Sequence, residues 1–196
     1  METWPSHLIP NSMTWHLRYN SKSFVSEFNQ SVNTHRFPGG KWVTTLTFKN
    51  LTRSQAVDLQ CFLDDLGGEA GRFLMSDFTQ PGRPAIGAPV VAQQGQTGGL
   101  LLTSGWLPDR LVLAKGEYFS VNNEMKRVKR DVWSNGAGNA TLEFSPWLRA
   151  SPALSDAVET ESPLGLFKLA NDEQGDFKHR TRFSDVTLSI EEAFYV

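Results

Sequence analysis

The sequence predicts a mainly β fold that carries one α-helix. Three observations lead there. Short segments rich in Val, Thr, Phe and Trp alternate with period two, and one segment, residues 51 to 66, shifts to a helical period. Gly and Pro, 16 and 10 in 196 residues, punctuate the chain throughout, as short strands joined by turns require. Hydrophobic residues make up 39% and charged ones 20%, the balance of a globular chain and not of a disordered one. The net charge of −2 predicts neither a nucleic-acid coat nor a polybasic membrane anchor.

Residues 1 to 23 are polar and broken by Pro5 and Pro10, so they read as an extended arm with one short strand at Trp15 to Tyr19. From Phe24 to Phe37 apolar residues are unevenly spaced, and Pro38-Gly39-Gly40 is expected to break the chain. Lys41 to Phe48 then forms a strong strand, with Trp42, Thr44, Leu46 and Phe48 on one face. In the helix, Leu51, Ala56, Leu59, Phe62, Leu63 and Leu66 fall on one side. Thr52 and Gln55 have capping-box spacing, and Gly67-Gly68 supplies a left-handed stop. Gly71 to Phe78 returns to strand.

Residues 79 to 99 are dense in Pro and Gly and predict a domain boundary. Five short strands follow, Gly99 to Thr103, Arg110 to Ala114, Tyr118 to Val121, Met125 to Val132 and Ala140 to Phe144, enough for a small barrel or sandwich. Turns such as Val121-Asn-Asn-Glu124 and Ser134-Asn-Gly136 separate them. Pro146, Pro152 and Pro163 interrupt the next stretch, before strands at Leu166 to Ala170 and Phe183 to Ile190. The expected division is one β domain from residues 1–84 and 165–196, with helix 52–66, and an inserted β-barrel domain from 85–164.

Motifs for chemistry are missing. Cys61, the one cysteine, excludes an intramolecular disulfide and a cysteine-rich zinc site, fits a reducing compartment, and reads as a small core filler within the helix. His7, His16, His35 and His179 lack the spacing that would place two imidazoles on one metal. No G-x-S-x-G, P-loop or G-x-G-x-x-G occurs, and the run from Gln94 to Gly99 reads as a hairpin loop. The expectation is no enzyme, no catalytic residue, no metal and no cofactor. Asp64-Asp65 and Glu191-Glu192 read as solvated faces, since adjacent side chains diverge. Lys126, Arg127, Lys129 and Arg130 are taken as the only basic cluster. On a strand they split between two faces, which favours salt bridging and predicts no sequence-specific nucleic-acid partner.

No run of about 18 apolar residues occurs, and Met1 to His7 lacks a basic, then apolar, leader, so neither a membrane anchor nor a secretion signal is expected. The sequons at Asn29, Asn50 and Asn139 are read as chance. Six tryptophans, Trp4, Trp15, Trp42, Trp106, Trp133 and Trp147, suit core packing, a protein interface or sugar stacking.

The order of several phrases is more informative than any one of them. Phe24-Val-Ser-Glu-Phe28 is followed by Pro38-Gly-Gly-Lys-Trp42, Thr45-Leu-Thr-Phe48, the capped helix ending Leu66-Gly-Gly, and Gly71-Arg-Phe-Leu. Later come Thr103-Ser-Gly-Trp106, Ala114-Lys-Gly-Glu-Tyr-Phe-Ser120, Gly138-Asn-Ala-Thr-Leu-Glu-Phe144 and Pro146-Trp-Leu-Arg149. From about residue 20 to 196 the chain resembles structural tail proteins of long-tailed bacteriophages, most of all the distal tail protein of non-contractile tails.

That resemblance implies a ring-forming β-sandwich or split-barrel domain with one helix, and an inserted small barrel of oligonucleotide/oligosaccharide-binding type. It implies a homohexameric ring at the distal end of the tail tube, with the tail tube protein and the tail tip, hub or adhesion proteins as further partners. The location implied is the virion tail, assembled in the host bacterial cytoplasm. Ring closure needs two different surfaces that meet between neighbours. Phe24, Phe28, Arg36 and Trp42, which flank or open the first strong strand, are the expected subunit contacts. The alternative is a carbohydrate-binding β module in which Trp106, Trp133 and Trp147 stack on host surface glycans.

Overall fold

In the computed structural model, which describes residues 2–194, strands account for 49% and helices for 9%, so the fold is mainly β. The chain begins with β1 (Glu2–Thr3), β2 (Ser12–Val25) and β3 (Val32–Leu51), then α1 (Arg53–Leu66) and β4 (Phe73–Met75). β5 (Gly87–Val91), β6 (Gly98–Trp106), β7 (Leu111–Leu113), β8 (Tyr118–Val121) and β9 (Glu124–Val128) come next. β10 (Val132–Trp133), β11 (Ala140–Leu148), β12 (Gly165–Leu169), β13 (Lys178–His179) and β14 (Ser184–Glu192) complete it.

The alternation of Trp42, Thr44, Leu46 and Phe48 organises the first sheet: all four are buried, and their odd-numbered neighbours are only partly so. The sheet order is β1-β4-β12-β14-β3-β2, with β13 on β14. On β14, Val186, Leu188 and Ile190 alternate inward to the same core. Ala56, Leu59, Phe62 and Leu66 of α1 pack there too. Both helix ends follow the sequence. Thr52 and Gln55 form the reciprocal capping box, and Gly67 sits at φ 63° as the left-handed cap.

A second core is built from residues between Val91 and Val158. It lies under a sheet ordered β5-β6-β11-β9-β8 and a two-stranded β10-β7 pair. These sheets curl into half-barrels. At the Val121-Asn-Asn-Glu124 turn both asparagines take positive φ, the primed-turn geometry that joins β8 to β9. Tyr118 and Met125 of this segment reach back into the first core, where Trp42 Nε1 donates to the Met125 carbonyl at 3.0 Å.

The structure corrects several expectations. The expected arm at residues 1 to 23 gives way from Ser12 onward to a 14-residue strand, β2, which runs on to Val25, and Pro38-Gly39-Gly40 does not break the chain. Arg18 pairs with Lys41 and Asn20 with Phe37, so the Pro-Gly-Gly residues form a bulge in one continuous β3. Gly39 at φ 99° takes the turn, and Asn20 Nδ2 donates to the Pro38 carbonyl at 2.9 Å. β5 was hidden by its Gly and Pro, which an edge strand tolerates. Of Gly71 to Phe78 only β4 is strand. Cys61 is exposed, because the apolar stripe of α1 turns it to the opposite side.

Glu192 is no solvated face either. It is fully buried where the two cores meet. The Trp42 N–H donates to Glu192 Oε2 at 2.9 Å, and the Arg149 guanidinium pairs with the same oxygen. Beside it the fully buried Lys126 pairs with Glu124 at 2.6 Å and donates to the Trp147 carbonyl at 3.0 Å. Burial pushes the Glu192 carboxyl above and the Lys126 amine below their ordinary values, so each charge depends on its partners. Lys129 and Arg130 both pair with Glu143.

Limited digestion with a broad-specificity protease should cut first in the exposed segments, at residues 26–31 or within 79–97. Early cuts inside Lys41 to Phe48 or α1 would contradict the expected division of the chain.

Candidate subunit interface

The β2–β3 hairpin outruns its sheet. β14 pairs with β3 only from Val43 to Leu51, whereas β2 follows β3 on to Val25↔Val32. From Asn20↔Phe37 outward the two strands therefore have no third neighbour in the sheet among the described residues. At about 3.4 Å per residue the six pairs from Asn20 to Val25 project roughly 20 Å. A two-stranded ribbon of this kind is marginal in water and presents open edges.

Its composition sharpens the problem. Tyr19, Phe24, Val25, Phe28, Val32 and Phe37 are all exposed, and Phe28 at the tip is completely so. Cross-strand pairing places Phe24 and Phe37 on one face with Lys22 and His35, and Val25 opposite Val32 on the other. Lys22 Nζ lies 5.4 Å from the Phe24 ring centroid, and Ser23 and Thr34 share a 2.8 Å hydrogen bond. The tip is shaped by Asn29 Oδ1, which accepts from the Ser31 N–H at 3.1 Å, and by Gln30 at positive φ. Apolar side chains held out in water on a formed ribbon are the chemistry of a contact surface.

Of the four expected contact residues, Phe24 and Phe28 lie on this ribbon in the open. Arg36 is at its base. Its guanidinium lies 4.9 Å from the Tyr19 ring and 4.7 Å from the Trp147 ring, tying the ribbon to β11. Trp42 is a correction: it is 0% exposed, stacked on Trp15 at 5.4 Å and crossed by Tyr118, so its side chain offers nothing to a neighbour. Tyr19, Val25, Val32 and Phe37 are not among the expected contacts, because apolar residues from Phe24 to Phe37 are sparse and unevenly spaced in the sequence and Tyr19 only ends the short strand expected at Trp15 to Tyr19. The signal available was a pair of matched apolar–polar runs on either side of Ser26 to Ser31.

The tryptophans proposed as sugar platforms do not act together. Trp106 is buried, with its Nε1 donating to Thr103 Oγ1 at 2.8 Å. Trp147 is covered by Arg36. Trp133 alone is open, 62% exposed, beside a groove of about 700 Å³ that Asp131, Asn135 and Asn139 also line. No protein-family model matches this chain, and no curated protein matches it.

Proposed function

We propose that this chain is a structural protein of a long-tailed bacteriophage tail, closing into a ring of six copies at the distal end of the tail tube and joining the tube to the tip or adhesion device. The β2–β3 ribbon is the element by which each copy grips the next. One observation carries this reading: a formed ribbon, with no third strand beside it among the described residues and with Phe24, Phe28, Val25 and Val32 exposed, stands outside both cores. A ring contact joins two different surfaces, and a projecting ribbon can lie across a neighbour without disturbing either core. The ring order and the axial partners are those that the resemblance to distal tail proteins implies.

The test is a Phe24→Ser, Phe28→Ser double variant. Because Phe28 is fully exposed and the ring contacts of Phe24 are to Lys22 and His35 of the ribbon itself, its melting should match the native chain within about 0.5 kcal/mol. Loss of central aromatic anchors costs an interface about 2 kcal/mol or more, so assembly should require over tenfold more protein. Light scattering and electron microscopy read this, with antibody labelling of purified tails. A variant that assembles like the native chain rules the ribbon out. A native chain that stays monomeric, is absent from tails and binds host polysaccharide through Trp133 would put the carbohydrate-binding reading in its place.

A further inference from the structure

The two ends of α1 carry opposite charge. Around its N-terminus lie Lys49, Arg53, Lys178, Arg180 and Arg182, all exposed. They line two adjoining clefts that share Arg180: one holds Lys49 and Lys178 with Asp176 and Asp185, the other Arg53, His179 and Arg182. Arg180 pairs with Asp185 at 2.5 Å. Lys49, Arg53, Lys178 and Arg182 form no ion pair among the described residues. Lys126 to Arg130 is therefore not the only basic cluster, contrary to the expectation from the sequence. Lys178, Arg180 and Arg182 are close in sequence, but Lys49 and Arg53 join them only through the fold.

Around the C-terminus of α1 the exposed groups are Asp64, Asp65, Asp172 and Glu173. Asp172 Oδ1 accepts from the Glu69 N–H at 2.7 Å, which holds it beside the helix end. Nearby cations are engaged elsewhere: Lys168 pairs with Glu69 and Glu191, and Arg72 donates to the carbonyls of Glu69 and Ala70. Asp64, Asp65, Asp172 and Glu173 form no ion pair among the described residues.

The helix itself is charged against its own dipole. The N-terminus of a helix carries partial positive charge and the C-terminus partial negative, so acids belong in the first turn and bases in the last. Here the first turn has Arg53 and no acid, and the last has Asp64 and Asp65 and no base. Each arrangement weakens the isolated helix and strengthens the field beyond its end. A local rule broken at both ends, with no compensating ion pair among the described residues, marks a surface whose compensation comes from outside.

We propose that these two ends are the complementary halves of a head-to-tail contact between copies of this chain, the basic end of one subunit docking on the acidic end of the next. This rests on the ring-forming reading above. A heterologous contact requires two different, mutually complementary surfaces, and this chain carries both, separated by a helix of 14 residues, roughly 20 Å. Opposed patches of this kind steer encounter and fix which surface meets which, while the apolar ribbon holds the contact once made. Assembly therefore weakens as salt is raised.

Two charge reversals test it. Arg53→Glu with Arg182→Glu turns the basic end acidic, and Asp64→Lys with Asp65→Lys turns the acidic end basic. Both agree better with the helix dipole, so thermal melting should show both folded. Each variant alone should need more than tenfold more protein to assemble than the native chain, by light scattering and electron microscopy. An equal mixture should recover assembly, because each variant supplies the charge the other lacks. If either variant alone assembles like the native chain, or the mixture fails to recover, the charged contact is wrong and the ring reading stands. If reversal at the basic end leaves rings intact but strips them from tails, that end meets a different protein. If the native chain itself forms no ring at any salt concentration and is absent from tails, the ring reading fails first.

Discussion

Glu192→Ala should lower the stability of the folded chain by about 3 to 5 kcal/mol, the scale of removing one partner from a buried ion pair. Three groups lose their acceptor or counter-charge at once. The Trp42 N–H donates to Glu192 at 2.9 Å, Arg149 pairs with the same carboxylate, and Lys126 lies near enough for its charge to act on it. None can turn to water cheaply: the Arg149 side chain is 12% exposed and that of Lys126 not at all. The Arg149 guanidinium would keep its contacts to the Ala193 carbonyl and the Phe194 ring, and neither carries a full negative charge. Glu192→Gln should cost less, since an amide oxygen can still accept from Trp42. Urea denaturation of the three proteins measures the difference, and a loss below about 1 kcal/mol for the alanine variant would show that the network contributes little.

Phe62→Ala should cost about 3 to 5 kcal/mol and Leu59→Ala about 2 to 5. The Phe62 ring meets Trp4 edge-on at 5.3 Å and Phe73 at 5.6 Å, and Leu59 is fully buried in the same cluster. Truncation would leave a void between helix and sheet, walled partly by Trp4. That indole is fixed by its own hydrogen bond to the Leu8 carbonyl at 2.8 Å, so the space cannot simply close. Cys61→Ala, on the exposed side of the same helix, should stay within about 0.5 kcal/mol. If Cys61→Ala proved as costly as Phe62→Ala, the buried face of α1 would be misassigned.

The sequence by itself determined what local chemistry controls. Thr52, Gln55 and Gly67 specify both ends of α1, because a capping box and a left-handed glycine act within four residues. The alternation from Trp42 to Phe48 specified the central strand and its buried face, and the paired asparagines specified the β8–β9 turn. Only the tertiary structure decided features that depend on distant partners. β3 survives Pro38-Gly39-Gly40 because β2 lies alongside, with the bulge and Asn20 absorbing the extra residues. Glu191 and Glu192 are adjacent in sequence yet differ in fate. On a strand they face opposite ways, one toward Lys41 and Lys168 at the rim, the other into Arg149 where the two cores meet. Trp42 passed for a contact residue because exposure is not written in a side chain's type, and Met125 and Tyr118, some 80 residues away, cover it. The basic cluster at α1 likewise exists only once β13 is laid beside the helix. Hydrogen bonds of caps and turns close over a few residues and are legible in order; burial and charge are sums over neighbours that the chain supplies from anywhere along its length.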